Sequence, residues 1–102
     1  MEKNIFSKII DGEAEAKIIL KNDYVTAFED IDPSAPNHII IIPNKEIPTV
    51  NDIQDSDVLM MGHLFLAARD IAKNLGIDNS GYRLIMNCNK DGGQEVFYVI
   101  FI

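Results

Sequence analysis

The sequence predicts an α+β protein that combines a five-stranded antiparallel sheet with one short and one long helix. Two observations predict this class: short β-branched runs separated by turn residues, and one long segment whose apolar residues are spaced by threes and fours. At 102 residues the chain is long enough for one domain, spanning 1–102, with a single core. No internal repeat, linker or low-complexity stretch divides it.

The first third of the chain predicts a short helix and then a hairpin. Four apolar residues in IFSKIIDGE have near-helical spacing, and Gly12 ends the pattern. The next two segments, AKIILKN and YVTAFED, have the length of strands. The turn sequence Asn22–Asp23 between them is of the kind that closes a hairpin.

The middle of the chain predicts a buried strand and the long helix. HIIIIP places four isoleucines in a row without polar alternation, which is typical of a central strand covered on both faces, and Pro43 ends it. The helix spans Asp55 to Leu75, and Gly76 is its C-terminal stop. We expect its buried face to consist of Val58, Met61, Phe65, Ala68, Ala72 and Leu75.

The same helix carries a narrower second stripe, Leu59, His63 and Leu66. Two interpretations stay open: a partner surface, or isolated surface leucines without a role. After the helix, GYRLIMNCN predicts a fourth strand, KDGG a glycine turn and QEVFYVIFI a fifth strand.

Charge and composition exclude several classes of partner. The formal net charge of −7 argues against binding nucleic acid through its phosphates. No run approaches the roughly 20 apolar residues that cross a bilayer, and the N-terminus does not resemble a signal peptide. The one cysteine, Cys88, cannot form an internal disulfide. The expected protein is soluble and cytoplasmic, without a membrane or nucleic-acid partner.

Individual side chains leave the chemistry open. The two histidines, His38 and His63, do not suggest a metal pair, so we expect no metal and no cofactor. His38 could serve a ligand or satisfy a backbone carbonyl, and Cys88 has the setting of an inert core thiol rather than a nucleophile. The turn NKDGGQ could cradle a phosphate or simply reverse the chain.

The order of three segments resembles a known family. IFSKIIDGE, TAFEDIDPSAPNHIIIIP and GYRLIMNCNKDGGQEVF together are similar to the histidine triad (HIT) superfamily, in its branch of small nucleoside phosphoramidate hydrolases. The similarity covers residues 4–97, and D-I-x-P-x-A-P-x-H with N-x-x-x-D-G-G-Q is a specific combination. It implies a HIT-like fold and a homodimer that cleaves the bond between the α-phosphate of a purine nucleotide and an amine.

The resemblance also assigns roles to individual residues. Asp30 would accept hydrogen bonds from the ribose hydroxyls, and His38 would support the catalytic strand. The purine wall would consist of Ile5, Phe6, Ile9, Phe28 and Ile31. The phosphate side would consist of Asn87, Gly93, Gln94 and Glu95.

The sequence departs from the family at the three histidines that give it its name. Their positions are occupied by Tyr98, Ile100 and Ile102, so no catalytic residue is assigned. In the family the middle histidine attacks phosphorus, and its neighbours orient it and protonate the leaving amine. We therefore expect an inactive protein that still binds a purine nucleoside monophosphate weakly. The alternatives are a structural or interaction dimer, or a C-terminally altered and shortened form of an active hydrolase.

Overall fold

The computed structural model describes residues 5–12, 17–29 and 38–94, and the α+β class is confirmed. The helices are α1, Ile5–Ile10, and α2, Val58–Leu75. The strands are β1, Ile18–Lys21, β2, Val25–Glu29, and β3, Ile39–Pro43. Short 3₁₀ turns occupy Val50–Asp52, Asp55–Asp57 and Lys90–Gly92. Neither helix in these ranges is long and apolar enough to cross a bilayer.

The predicted hairpin is confirmed as β1 and β2. Its turn is held by the side chain of Asn22, whose Oδ1 accepts from the backbone N–H groups of Tyr24 at 2.8 Å and Val25 at 2.9 Å. An asparagine side chain that bonds the backbone two residues on replaces a backbone turn contact. The three strands form an antiparallel sheet in the order β1-β2-β3, with β2 in the middle.

Both faces of β2 and β3 are buried. Val25, Ala27 and Ile41 lie on the face covered by α2, and they belong to one core cluster with its apolar residues. On the opposite face Phe28 is paired with Ile40, and both are also buried. The prediction that HIIIIP is covered on both sides is thus confirmed, although β2, not β3, is the middle strand of the described sheet.

Helix α2 presents a different face to the sheet from the one that we expected. Ala68 and Ala72 are buried as predicted, but Val58 is 71% exposed and Phe65 57% exposed, and Leu75 is also exposed. The residues buried against the sheet are Met60, Leu64, Ala67, Ala68, Ile71 and Ala72. The expected face was wrong because the first half of α2 is apolar on both sides, so spacing alone does not identify the side that packs. The predicted stop at Gly76 is confirmed, with φ of 74°.

Two of the five predicted strands are not seen. In the described part of the chain, residues 81–88 are not in a strand, and the segment that would form the fifth strand lies outside the described residues except for Gln94. The predicted KDGG turn is confirmed as the 3₁₀ turn Lys90–Gly92.

An ion pair between the exposed Lys45 and the buried Asp57 fixes the start of α2. The carboxylate of Asp57 is almost fully buried, accepts from Lys45 Nζ at 2.8 Å and accepts from the backbone N–H of Gln54 at 2.9 Å. The hydrogen bond from Lys45, and then that from Gln54, hold the pKa of Asp57 below its ordinary value of 3.8. Asp57 therefore connects the chain after β3 to the first turn of α2.

We expect Asp57→Asn to lower the thermal unfolding midpoint at pH 7, because the amide still accepts from Gln54 but no longer pairs with the Lys45 ammonium. A group whose pKa is lowered by folding contributes stability above its unfolded pKa, and this contribution is lost as pH falls through the folded value. The difference between the two proteins should therefore shrink below about pH 3.8. Calorimetric unfolding across pH 3 to 7 measures it.

Asp55→Asn is the matched control, because it makes the same change in the same 3₁₀ turn at an exposed position. We expect its midpoint to stay close to that of the unmodified protein. Equal effects of the two substitutions would show that the ion pair with Lys45 does not stabilise the start of α2.

Candidate functional site

Two of the residues predicted to bind nucleotide lie on the sheet face opposite α2. Phe28 is 3% exposed and is paired across the sheet with Ile18 on β1 and Ile40 on β3. His38 directly precedes β3 and is half-buried. Because side chains alternate along a strand, His38 lies on the same face as Ile40, and therefore as Phe28. The sheet thus brings an aromatic ring and an imidazole to one face.

Helix α1 contributes a second residue of the predicted purine wall, Ile9. Ile9 is 7% exposed and is not part of the core cluster between the sheet and α2. The end of α1 is tied to the hairpin, since Lys21 Nζ donates to the carbonyl of Ile10 at 3.0 Å. Ile5 and Phe6 belong to the same helix. This contact attaches α1 to the edge strand β1.

The predicted phosphate side lies in the turn that follows residues 81–88. Gly93 has φ of 75°, a left-handed conformation that favours glycine, and its N–H donates to the carbonyl of Lys90 at 3.0 Å. Gly92 lies close to the backbone of half-buried Asn87, because an added Cβ would be 3.8 Å from the Asn87 carbonyl carbon. The turn therefore folds back on Asn87, and the two predicted phosphate-side residues Asn87 and Gly93 are parts of one local structure.

Gln94, the last residue of this turn, is hydrogen-bonded through both ends of its side-chain amide. Its Nε2 donates to the carbonyl of Pro48 at 2.6 Å, and its Oε1 accepts from the backbone N–H of Asn89 at 2.7 Å. Sequence reasoning placed Gln94 at the phosphate but gave no signal for these contacts. Pro48 is 46 residues away, so no local pattern connects the two residues.

Sequence reasoning also missed the packing of His63. Its ring stacks on Tyr24, with centroids 4.0 Å apart and planes at 7°, so α2 contacts the hairpin turn through two rings. The sequence pattern placed His63 only in the second stripe of α2, whereas the folded chain leaves it half-buried and stacked on Tyr24. Within the described ranges no group of three or more His, Cys, Asp or Glu side chains could hold a metal ion.

An apolar groove lies on the other side of the sheet. It is bounded by β3, by the second half of α2 and by residues 82–84, and none of the predicted nucleotide-binding residues lines it. Its wall consists of Ile39, Ile41, Ala68, Ile71, Ala72, Leu75, Ile77, Tyr82, Arg83 and Leu84. The groove is thus separate from the face that carries Phe28 and His38.

Six of the residues singled out in the sequence lie outside the described residues. They are Asp30, Ile31 and Glu95 of the predicted nucleotide site, and Tyr98, Ile100 and Ile102 at the positions of the three histidines. The structure therefore describes only some of the residues of the predicted purine wall and of the predicted phosphate side.

Comparison with known proteins gives one family. A model of the HIT domain matches residues 11–99. The purine nucleoside phosphoramidase of Escherichia coli K12 is 51% identical over 98 residues, which cover 96% of this chain and 82% of that protein. An uncharacterized HIT-like protein of Buchnera aphidicola is 46% identical over 98 residues, covering 96% of this chain and 86% of that protein.

Solved structures agree with this assignment. A HIT family hydrolase from Clostridium thermocellum superimposes with a TM-score of 0.94 at 39% identity, covering 99% of this chain and 88% of that one. A histidine triad protein from Clostridium difficile gives a TM-score of 0.92 at 39% identity, covering 99% of this chain and 90% of that one.

Proposed function

Because the chain belongs to the HIT family, we propose that it binds purine nucleoside monophosphates and does not cleave them. The observation that carries this proposal is that Phe28 and His38, an aromatic ring and an imidazole, lie on one face of the sheet. The chain is also 51% identical to a purine nucleoside phosphoramidase. We place this protein in the cytoplasm and treat residues 1–102 as one domain.

The described residues support nucleotide binding. Ile9 and Phe28 come from two different elements, α1 and β2, and are apolar residues of the kind that lines ligand sites. The turn 89–93 is exposed and folds against Asn87, and nothing lies within 4 Å of a Cβ added at Gly93, so a phosphate has room to approach the turn. Asp30 and Ile31 complete the proposed site at the ribose and purine.

The sequence supports loss of cleavage. Ile100 replaces the histidine that attacks phosphorus in the family, and an isoleucine has no lone pair with which to attack. Tyr98 replaces a second histidine, but a phenol with a pKa of about 10 is a poor acid or base at neutral pH. Ile102, at the third position, offers no proton at all.

An exposed apolar surface on α2 supports a homodimer as part of this proposal. Val58, Leu59, Phe65 and Leu66 are all exposed, and we call them, with Gly62 among them, the outer face of α2. A glycine in the middle of a helix costs about 1 kcal/mol relative to alanine. Nothing lies within 4 Å of a Cβ added at Gly62, so the fold of one chain gives no reason for the glycine. Close approach of a second α2 is a reason.

We expect adenosine or guanosine monophosphate to bind with a Kd of about 1 mM or lower, which corresponds to a binding free energy near −4 kcal/mol. A single purine site that lacks the three histidines of the family can supply an affinity of this size. Titration calorimetry measures it. Uridine monophosphate is the control, because it carries the same phosphate on a smaller base. Equal affinity for the two bases would contradict the purine wall, and no binding of either would contradict the proposed function.

We expect no turnover of an adenosine phosphoramidate, because the covalent catalyst and its acid–base neighbours are replaced. Ile100→His alone should recover little, since the new imidazole would be neither oriented nor assisted. The triple substitution Tyr98→His, Ile100→His and Ile102→His should recover activity, measured by release of the amine. A triple variant that binds nucleotide but stays inactive would contradict the proposed pocket. Turnover by the unmodified chain that His38→Ala abolishes would make His38 the catalyst.

We expect Leu66→Glu to weaken the dimer by at least about tenfold, because each interface would bury two uncompensated charges. Sedimentation equilibrium measures the change against a chain mass of 11.4 kDa. Asn74→Glu is the control, since it adds the same charge to the same helix at an exposed position beyond the outer face. A monomeric unmodified protein at high concentration would contradict the dimer, as would equal weakening by both variants.

A further inference from the structure

One side chain ties the turn on the predicted phosphate side to a distant part of the chain. Gln94 closes the turn on itself, because its Oε1 accepts from Asn89 N at 2.7 Å while its own backbone N–H donates to Asn89 O at 3.0 Å. Its Nε2 then reaches out of the turn to the carbonyl of Pro48 at 2.6 Å. Each end of one amide group thus has a different partner.

The turn is strained at the residue that Gln94 holds. Asn89 has φ of 57° and ψ of −170°, a combination that is close to exclusive to glycine. A non-glycine residue in such a region is strained and persists only where surrounding contacts enforce it. Two of the contacts that enforce it here are the reciprocal hydrogen bonds with Gln94.

The far end of the link is anchored in the core. Ile47, just before Pro48, is 2% exposed and belongs to the cluster between the sheet and α2. Thr49, just after it, is buried, and its N–H and hydroxyl both donate to Asp52 Oδ2, at 3.2 Å and 2.8 Å. The Pro48 carbonyl therefore has a fixed position, and a turn bonded to it is fixed as well.

We propose that Gln94 is a positioning residue that acts through the Pro48 carbonyl to hold Asn87 and Gly93 where a nucleotide phosphate binds. The proposal rests on the proposed function, because it assigns a task to one residue of that site. It gives Gln94 a structural role, since its Oε1 and one hydrogen of its Nε2 bond to Asn89 and Pro48 within the protein. The position of the turn depends on Gln94. The position of Asn87 depends on that of the turn, because Gly92 lies against the Asn87 backbone.

Gln94→Glu separates the two ends of the link. The introduced carboxylate keeps an acceptor for Asn89 N–H. At pH 7 it has no proton to donate to Pro48, so one carboxylate oxygen and the Pro48 carbonyl oxygen repel each other. As pH falls through the carboxyl pKa, ordinarily about 4.3, the protonated group can donate again. Gln94→Met keeps the length of the side chain and loses both bonds, so pH cannot restore it.

The first readout uses the free protein. The ¹⁵N shift of Thr49 reports the hydrogen bond to the carbonyl of Pro48, and a coupling across that bond from Gln94 Nε2 should be detectable in the unmodified chain. We expect Gln94→Glu to move the Thr49 signal at pH 7 and to return it toward the unmodified position at about pH 4. Gln94→Met should move the signal at both pH values.

The second readout is the affinity for adenosine monophosphate. Loss of the bond to Pro48, alone in Gln94→Glu and together with the bond from Asn89 N in Gln94→Met, should weaken binding at least about fivefold to tenfold at pH 7. Near pH 4 the affinity of Gln94→Glu should return toward that of the unmodified protein measured at the same pH, and the affinity of Gln94→Met should not. Asn79→Asp makes the same amide-to-carboxyl change in an exposed turn and should change neither readout.

The outcomes distinguish this proposal from the proposed function. No binding to the unmodified chain would end the proposed function, while the Thr49 signal would still test the link to Pro48. Weaker binding by Gln94→Glu with an unmoved Thr49 signal would make Gln94 a phosphate ligand and overturn the positioning role. Absence of the coupling from Gln94 to Pro48 in the unmodified protein would overturn it without any variant.

Discussion

Burial of β2 and β3 on both faces is the constraint on which the rest of the described structure depends. The two strands pair from Val25↔Pro43 to Glu29↔Ile39, and a slip of one residue would exchange the α2 face with the opposite face. A hydrogen bond also favours this register, since the hydroxyl of fully buried Thr26 donates to Asn44 Oδ1 at 2.6 Å. A shifted strand would leave that hydroxyl without its partner. The positions of Phe28 and His38 follow from the same register.

The elements that were predicted correctly are those with a local signal. Three strands were predicted from β-branched runs bounded by turn residues, and α2 from its length and from Gly76. The side of α2 that packs on the sheet was not predictable, because Val58, Leu59, Phe65 and Leu66 are as hydrophobic as the residues that the sheet buries. The packing of α2 on the sheet decides which face is buried, because small residues such as Ala67 and Ala68 allow the helix to approach the strands closely.

The candidate site divides in the same way. The segments that resemble the family pointed to Phe28, His38 and the glycine turn, and the first two are now placed on one face by strand alternation. The contacts that hold this region together had no such signal. Gln94 reaches Pro48 across 46 residues, and Tyr24 meets His63 between a hairpin and a helix. Each residue is unremarkable in its own segment, so only the folded chain brings the pairs together.

Under the proposed function, nucleotide binding and cleavage depend on different residues of the HIT fold. The described residues that are proposed to bind nucleotide lie in α1, in β2, at the start of β3 and in the turn 89–94, and they are held by burial, strand register and the hydrogen bond from Gln94 to Pro48.

Cleavage requires additional groups that interact more strongly with the transition state than with bound nucleotide. In the family these are the histidines at positions 98, 100 and 102. Replacing them removes the nucleophile and the proton donors, whereas Ile9 and Phe28 are still present in this sequence. A HIT fold with these replacements is therefore expected to keep its affinity for the bound nucleotide and to lose its stabilisation of the transition state. Such a protein binds the ligand of an enzyme without catalysing its reaction.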